Sequence, residues 1–219
     1  MRRRDETNNE ATSRGPTAES ARRKSRAQAY YDGVAEEYAE ASSEGWFHRV
    51  RRREVAVLVR CVAPAPGVEV LDVGCGPGEI ARLLTERGAR VTGIDVSPRM
   101  LVRARPHLAE SLERDIDSLD LGRTFDAVLC SGVLEFAADA NVALLRMAAH
   151  VRPGGRLVLL FPTRGVGGFV YAWIQRRRGL GVALQSPATI MRALGHLGFT
   201  LTHSARPFFH CRVLAFQRR

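Results

Sequence analysis

Hydrophobic positions along the chain change their spacing twice. Up to Gln28 the residues are mostly Arg, Ser, Thr, Asn and Glu with scattered alanines, too little apolar surface to offset the entropy of ordering. Residues 1–28 are therefore expected to form a disordered basic arm. From Ala29 to Ala63 the spacing becomes helical, first Tyr30, Tyr31, Val34 and Tyr38, then Trp46, Val50, Val55, Leu58, Val59 and Val62, and Pro64 and Pro66 end the second pattern. Beyond Gly67 short apolar runs alternate with helical ones. Strands are predicted at Val68–Val73, Arg90–Asp95, Phe125–Cys130 and Arg156–Phe161, with helices near Glu79–Arg87, Pro98–Arg105 and Asn141–Val151. That order is the pattern of an α/β protein built on a parallel sheet. A last helix near Pro187–Leu197 precedes two strands, Phe199–Ser204 and Cys211–Phe216, expected to add an antiparallel hairpin at the edge.

With 219 residues, 45% hydrophobic and 26% charged, the chain suits one globular domain with a small extension. No apolar run is long enough to span a membrane and no secretory leader is evident, so a cytoplasmic location is expected. The net charge is +10, from 33 basic and 23 acidic residues, and every basic residue except Lys24 is arginine. Its distribution is uneven: beyond Phe161 there are nine arginines and no acidic side chain. Such a surface attracts nucleic acid, anionic lipid or acidic substrates. Cys61, Cys75, Cys130 and Cys211 have no metal-ligand or redox spacing; they read as reduced thiols, with no metal expected.

The richest stretch in chemistry is Leu71-Asp72-Val73-Gly74-Cys75-Gly76-Pro77-Gly78-Glu79, a buried strand running through three glycines into a helix. Glycines there allow a sharp turn and a ligand lying against bare backbone. Asp95 ends the next strand, where a carboxylate can accept both hydroxyls of a ribose. A dinucleotide fingerprint would need glycine at position 79, where Glu79 stands and would repel a pyrophosphate. A phosphate loop would need a lysine, and none follows Lys24. The pattern points to an adenosine without phosphates.

These residues resemble motif I of the class I S-adenosylmethionine-dependent methyltransferases, in the form LDVGCGPG. VTGIDVSP at 91–98 is similar to the family's second strand, RDIDSL at 114–119 to its adenine-holding stretch, and VRPGGRLVLL at 151–160 to its fifth strand. The resemblance, running from about Tyr30 to the end, implies a Rossmann-like, seven-stranded, mostly parallel sheet with an antiparallel C-terminal hairpin and helices on both faces. It implies a domain over 67–219 preceded by a helical lid over 29–66. It also implies S-adenosylmethionine as cofactor and S-adenosylhomocysteine as product. Gly74, Gly76 and Gly78, with Asp72 and Cys75, would line the methionine and ribose portion. Asp95 would hold the ribose, Val96 and Met100 would pack by adenine, Asp115 and the Ile116 backbone would meet its edge, and Ser131 would pass close to the sulfonium.

Tyr30-Tyr31-Asp32-Gly33-Val34-Ala35-Glu36-Glu37-Tyr38 resembles the lid segment of small-molecule members, the ubiquinone and menaquinone methyltransferase-like group among them. Tyr31 and Tyr38 are the implied lid contacts, and one of Arg49, Arg51, Arg52 and Arg53, with Arg52 chosen among them, is the candidate clamp for the methionine carboxylate. Methyl transfer needs alignment and exclusion of water more than a base; where a hydroxyl is methylated, His48, Glu135 and His210 are the candidates. The expected acceptor is a small molecule, aromatic or a natural product, attacked through O, N or C. Two other readings stay open: a nucleic-acid (RNA) methyltransferase and a noncatalytic cofactor-binding partner subunit. In 162–186, Phe169, Tyr171, Trp173 and Ile174 precede Arg176-Arg177-Arg178, a combination suited to an aromatic acceptor or a membrane surface.

Overall fold

The computed structural model describes the backbone of residues 18–41 and 45–219, and the side chains of residues 22–36 and 49–219. The elements are α1 (Ala18–Ala41), α2 (Gly45–Val62), β1 (Glu69–Val73), α3 (Glu79–Thr85), β2 (Arg90–Asp95), α4 (Pro98–Ala104), β3 (Glu110–Glu113), β4 (Phe125–Ser131), α5 (Ala140–Ala149), β5 (Val151–Pro162), α6 (Val166–Arg177), α7 (Pro187–His196), β6 (Phe199–Ala205) and β7 (Cys211–Arg218). The strands form one seven-stranded sheet in the order β3-β2-β1-β4-β5-β7-β6.

Strands β1 to β5 pair in parallel, and β7 pairs antiparallel with both β5 and β6. The expected C-terminal hairpin is present, but its second strand lies inside. Leu157 to Leu160 of β5 pair with Phe216 to Val213 of β7, and every residue of β7 from Val213 to Phe216 is buried. Continuous burial is what an inner strand requires. The more polar β6 takes the edge, with Thr200, Leu201 and Thr202 exposed.

Successive strand residues alternate between two cores. Leu71, Val128, Leu157 and Phe216 pack with Leu144 and Met147 of α5 and Leu194 of α7. Val70, Leu129, Val158 and Val213 pack with Val55, Leu58, Val59 and Val62 of α2 and Leu84 of α3. This period-2 division follows from the strand pleat. It also corrects the expectation that 29–66 acts as one lid: the second half of α2 is a structural layer, because its stripe at i, i+3, i+4 and i+7 is buried against the sheet.

Two further expectations change. Residues 18–28 are helical, as the first part of α1, not part of a disordered arm; residues 1–17 lie outside the described residues. The local composition is weak, and what orders this segment is tertiary: Arg23 donates to the Ala137 carbonyl at 2.7 Å and Gln28 to the Val96 carbonyl at 2.8 Å. Strand β3 was not foreseen. Its sequence, ESLE, has no apolar alternation, and its conformation comes from pairing with β2, Thr92 opposite Glu110. No described helix is long and apolar enough to cross a membrane.

Candidate active site

Between β1 and β4 the chain reverses direction across the sheet, and α3 and α5 leave toward opposite faces. The carboxyl ends of the two strands therefore splay apart, the place where open α/β sheets form a ligand crevice. Gly74 and Cys75 N–H groups donate to the Ile94 carbonyl at 2.8 and 3.0 Å, which folds the loop after β1 toward β2. Gly76 has φ +53° and nothing within 4 Å of where a Cβ would stand, so bare backbone borders the crevice. Gly78 serves packing: at φ +85°, a Cβ would lie 2.9 Å from the Ala104 Cα of α4.

The Asp95 carboxylate is aimed by two backbone donors, Gly76 N–H to Oδ2 and Ser97 N–H to Oδ1, each at 2.9 Å. Burial raises its pKa, and the hydrogen bonds from Ser97 and Gly76 work against that rise. Ser97 caps α4 by accepting from Met100 N–H at 3.1 Å, and its hydroxyl donates to Asp32 of α1. Asp72, on β1, is 1% exposed, and its Oδ2 has no partner among the described residues. Burial pushes Asp72 up to about 7, with Arg51 pulling down and Asp95 pushing up. The Arg51 guanidinium bridges the walls: Nε donates to Glu79 at 2.8 Å, and Nη1 lies 3.5 Å from the Ser131 hydroxyl and 3.6 Å from Glu54.

Helix α1 closes one side. Lys24 is ion-paired with Asp115 and Asp117, and Gln28 reaches the Val96 carbonyl. Tyr31 meets Phe136 edge-on, with ring centroids 5.9 Å apart. The crevice, with the open solvent at its mouth, takes up about 1020 Å³.

A second polar cluster lies under α6. Glu135 is 1% exposed; its Oε1 accepts from the Tyr171 hydroxyl at 3.3 Å, and its Oε2 has no partner among the described residues. Burial pushes Glu135 up to about 7. Gln175 donates to the Tyr171 oxygen at 3.0 Å, and the His210 ring stacks on Tyr171 with centroids 4.9 Å apart. Burial lowers the pKa of His210. Donor atoms of Glu54, His210 and Cys211 lie within 4.8 Å of one another, a mixed set that a metal could use. Two of the three already engage each other: the Cys211 thiol donates to Glu54 at 3.2 Å, and Glu54 also pairs with Arg51.

Residues 71–159 match the family described as "Methyltransferase domain". Ubiquinone biosynthesis O-methyltransferases are among the similar curated proteins. That of Azorhizobium caulinodans is 29% identical over 181 residues, covering 75% of this chain and 72% of the relative. That of Alkalilimnicola ehrlichii is 30% identical over 158 residues, with shares of 65% and 64%. For Methylocella silvestris the values are 35% over 127 residues, 55% and 50%. The chain thus spans less than two thirds of the length of two of these three relatives. Among solved structures, magnesium protoporphyrin IX methyltransferase from Synechocystis with bound SAH superposes with a TM-score of 0.73 at 22% identity, covering 90% of this chain and 100% of that one. The match to a methyltransferase domain thus lies over residues 71–159 of the chain.

The crevice is lined by eleven of the residues that the sequence singled out: Tyr31, Asp72, Gly74, Cys75, Gly76, Asp95, Val96, Met100, Asp115, Ile116 and Ser131. Gly78 is turned toward α4, away from that lining. Arg52 is exposed, and its neighbour Arg51 reaches the crevice instead, a difference of one residue that rotates a side chain by about 100° around a helix. The Asp115 carboxylate is engaged, accepting from Asp117 N–H at 2.9 Å and pairing with Lys24, so its expected adenine contact has competition. Glu135 and His210 meet at Tyr171, outside the lining. The side chains of Tyr38 and His48 lie outside the described residues. Lys24, Ala27 and Gln28 also line the crevice and were missed; the one available signal was that Lys24 is the sole lysine.

The residues present fit the cofactor. Gly76 leaves the backbone uncovered, Asp95 offers a carboxylate to a diol, and the unpartnered buried oxygen of Asp72 wants a donor or cation. Acid at both strand ends suits a cationic ligand and disfavours a phosphate.

Proposed function

We propose that this domain transfers a methyl group from S-adenosylmethionine to an O, N or C nucleophile of a small-molecule acceptor, and that it works in the cytoplasm. The observation that carries the reading is the buried Asp72 oxygen without a partner among the described residues, at the end of the same strand whose loop leaves Gly76 bare beside Asp95. The names of the similar proteins, enzymes acting in ubiquinone biosynthesis or on magnesium protoporphyrin, support a small-molecule acceptor.

In this reading Asp95 accepts from the ribose hydroxyls, while Asp72 accepts from the ammonium group and Arg51 pairs with the carboxylate of the methionine portion. Val96, Met100 and Ile116 flank the adenine. The bound cofactor supplies a sulfonium-activated methyl, displaced in line by the acceptor. Helix α1 keeps water from that centre through its Lys24 and Gln28 contacts and is the lid proper. On the acceptor side, Glu135 holds the Tyr171 hydroxyl through Oε1. A carboxyl poised near 7 can take a proton at neutral pH, so Glu135 serves as proton acceptor through Tyr171 where the nucleophile is a hydroxyl, and His210, stacked on that ring, positions it.

Calorimetry with S-adenosylmethionine tests the assignment. The expected result is saturable binding to the wild type, abolished or strongly weakened in Asp72→Ala with its fold intact by circular dichroism. Equal affinity in the two proteins would overturn the role given to Asp72.

A further inference from the structure

Helix α6 turns its large apolar side chains away from the protein. Val166, Phe169, Val170, Trp173 and Ile174 are 84%, 63%, 44%, 56% and 41% exposed, and they stand at i, i+3, i+4, i+7 and i+8, one face of a helix. The opposite face, which packs inward, holds Gly168 and the polar Gln175 with half-buried Tyr171. This polarity is the reverse of a solvated surface helix, and an apolar stripe left in water marks an interaction surface. Phe209, 52% exposed, widens it beside Gly167, where a Cβ would stand 2.3 Å from the Phe209 ring.

The surroundings decide what covers the stripe. Arg164, Arg176, Arg177 and Arg178 are exposed at its two ends, and the Arg177 guanidinium lies 4.4 Å over the Trp173 ring. No acidic side chain follows Phe161. An apolar stripe with exposed arginines at both ends matches acyl chains beneath anionic headgroups. It does not match itself: a two-fold contact between copies would set arginine against arginine. With twelve residues, α6 is about 18 Å long and cannot span a bilayer, so it would lie in the plane of the interface.

We propose that α6, with Phe209, docks the protein on an anionic lipid bilayer, its apolar face in the headgroup region and its arginines on phosphates. The inference stands apart from the methyl-transfer reading, although docking would set Tyr171, on the inner face of the same helix, close to the lipid.

The test is sedimentation of the full chain with vesicles of phosphatidylcholine alone or mixed with phosphatidylglycerol, at low and high salt. The expected result is roughly tenfold or greater preference for the anionic vesicles, weakened by salt. A Phe169→Ser/Trp173→Ser double variant should lose roughly tenfold or more of that binding, and an Arg176→Gln/Arg177→Gln/Arg178→Gln variant should lose the preference for anionic lipid. Equal binding to both vesicle types, unchanged binding by the variants, or a dimer that the same variants dissolve would overturn the proposal. Calorimetry with S-adenosylmethionine on the same proteins separates the two readings: variants that keep the wild-type cofactor affinity are folded, so their vesicle binding reports the surface alone. Vesicle binding by a wild type that binds no cofactor would leave the surface standing and defeat the proposed function.

Discussion

Lys24 of α1 pairs with Asp117, Nζ to Oδ2 at 2.5 Å, in the turn that follows β3, and the same ammonium meets Asp115. The link joins the first described helix to the loop bordering the far side of the crevice, across 93 residues of chain. Deleting residues 1–28 is therefore expected to weaken S-adenosylmethionine binding about fivefold or more, because it removes this pair and the Gln28 bond to Val96. Lys24→Ala should give a smaller loss in the same direction. Calorimetry on the truncated protein checks this; unchanged affinity would return α1 to the status of a bystander.

Asp95→Ala is expected to lower cofactor affinity at least about tenfold, since a charged acceptor for two hydroxyls is lost. It also strands the Gly76 and Ser97 N–H groups that Asp95 now satisfies. Asp95→Asn, which keeps part of that acceptance, should fall between the two proteins in a titration.

Gly76→Ala and Gly78→Ala should separate binding from folding. At Gly76 a Cβ has open space, so the variant folds, pays about 1 kcal/mol for a left-handed alanine, and loses cofactor affinity because the methyl occupies the crevice. At Gly78 the Cβ meets α4 backbone at 2.9 Å, so the melting temperature falls markedly. Equal melting losses in the two variants would contradict this division.

The pH dependence of stability follows from Asp72 and Glu135, both pushed up to about 7 by burial. The folded state binds protons more tightly than the unfolded chain at these groups, so between about pH 4 and pH 7 stability falls as pH rises and then levels off. Asp72→Asn should raise the melting temperature at pH 8 and flatten that slope. A melt series from pH 5 to pH 8 on both proteins shows it, and an unchanged slope would remove Asp72 as its source.

Leu58→Ala, at a fully buried position of α2, is expected to cost about 2–5 kcal/mol in urea unfolding. A lid residue at that position would cost far less, so the measurement distinguishes a layer of the core from a cover over the site.

Local rules carry a long way in this chain. The pleated runs Arg90–Asp95 and Phe125–Ser131, the capping serine before Pro98 and the stripe of α2 are decided by neighbours within a turn or a strand. The glycine bend and Asp95 are recognisable because a bare loop and a following acid sit at fixed offsets, and their chemistry depends on backbone geometry that few other sequences supply. What linear order cannot convey is which distant group arrives beside which. The β3 backbone takes its shape from β2, the helical state of residues 18–28 from contacts with Ala137, Val96 and Asp117, and the choice of Arg51 over Arg52 from the rotation of a packed helix. The sequence by itself determined the β-α-β frame and the adenosine-binding bend, because periodicity and turn chemistry are short-ranged. Only the tertiary structure decided that β7 lies inside the sheet, that Asp72 keeps an oxygen unanswered among the described residues, and that α6 shows its apolar side to the outside. Each of those depends on burial, which is a property of the packed whole.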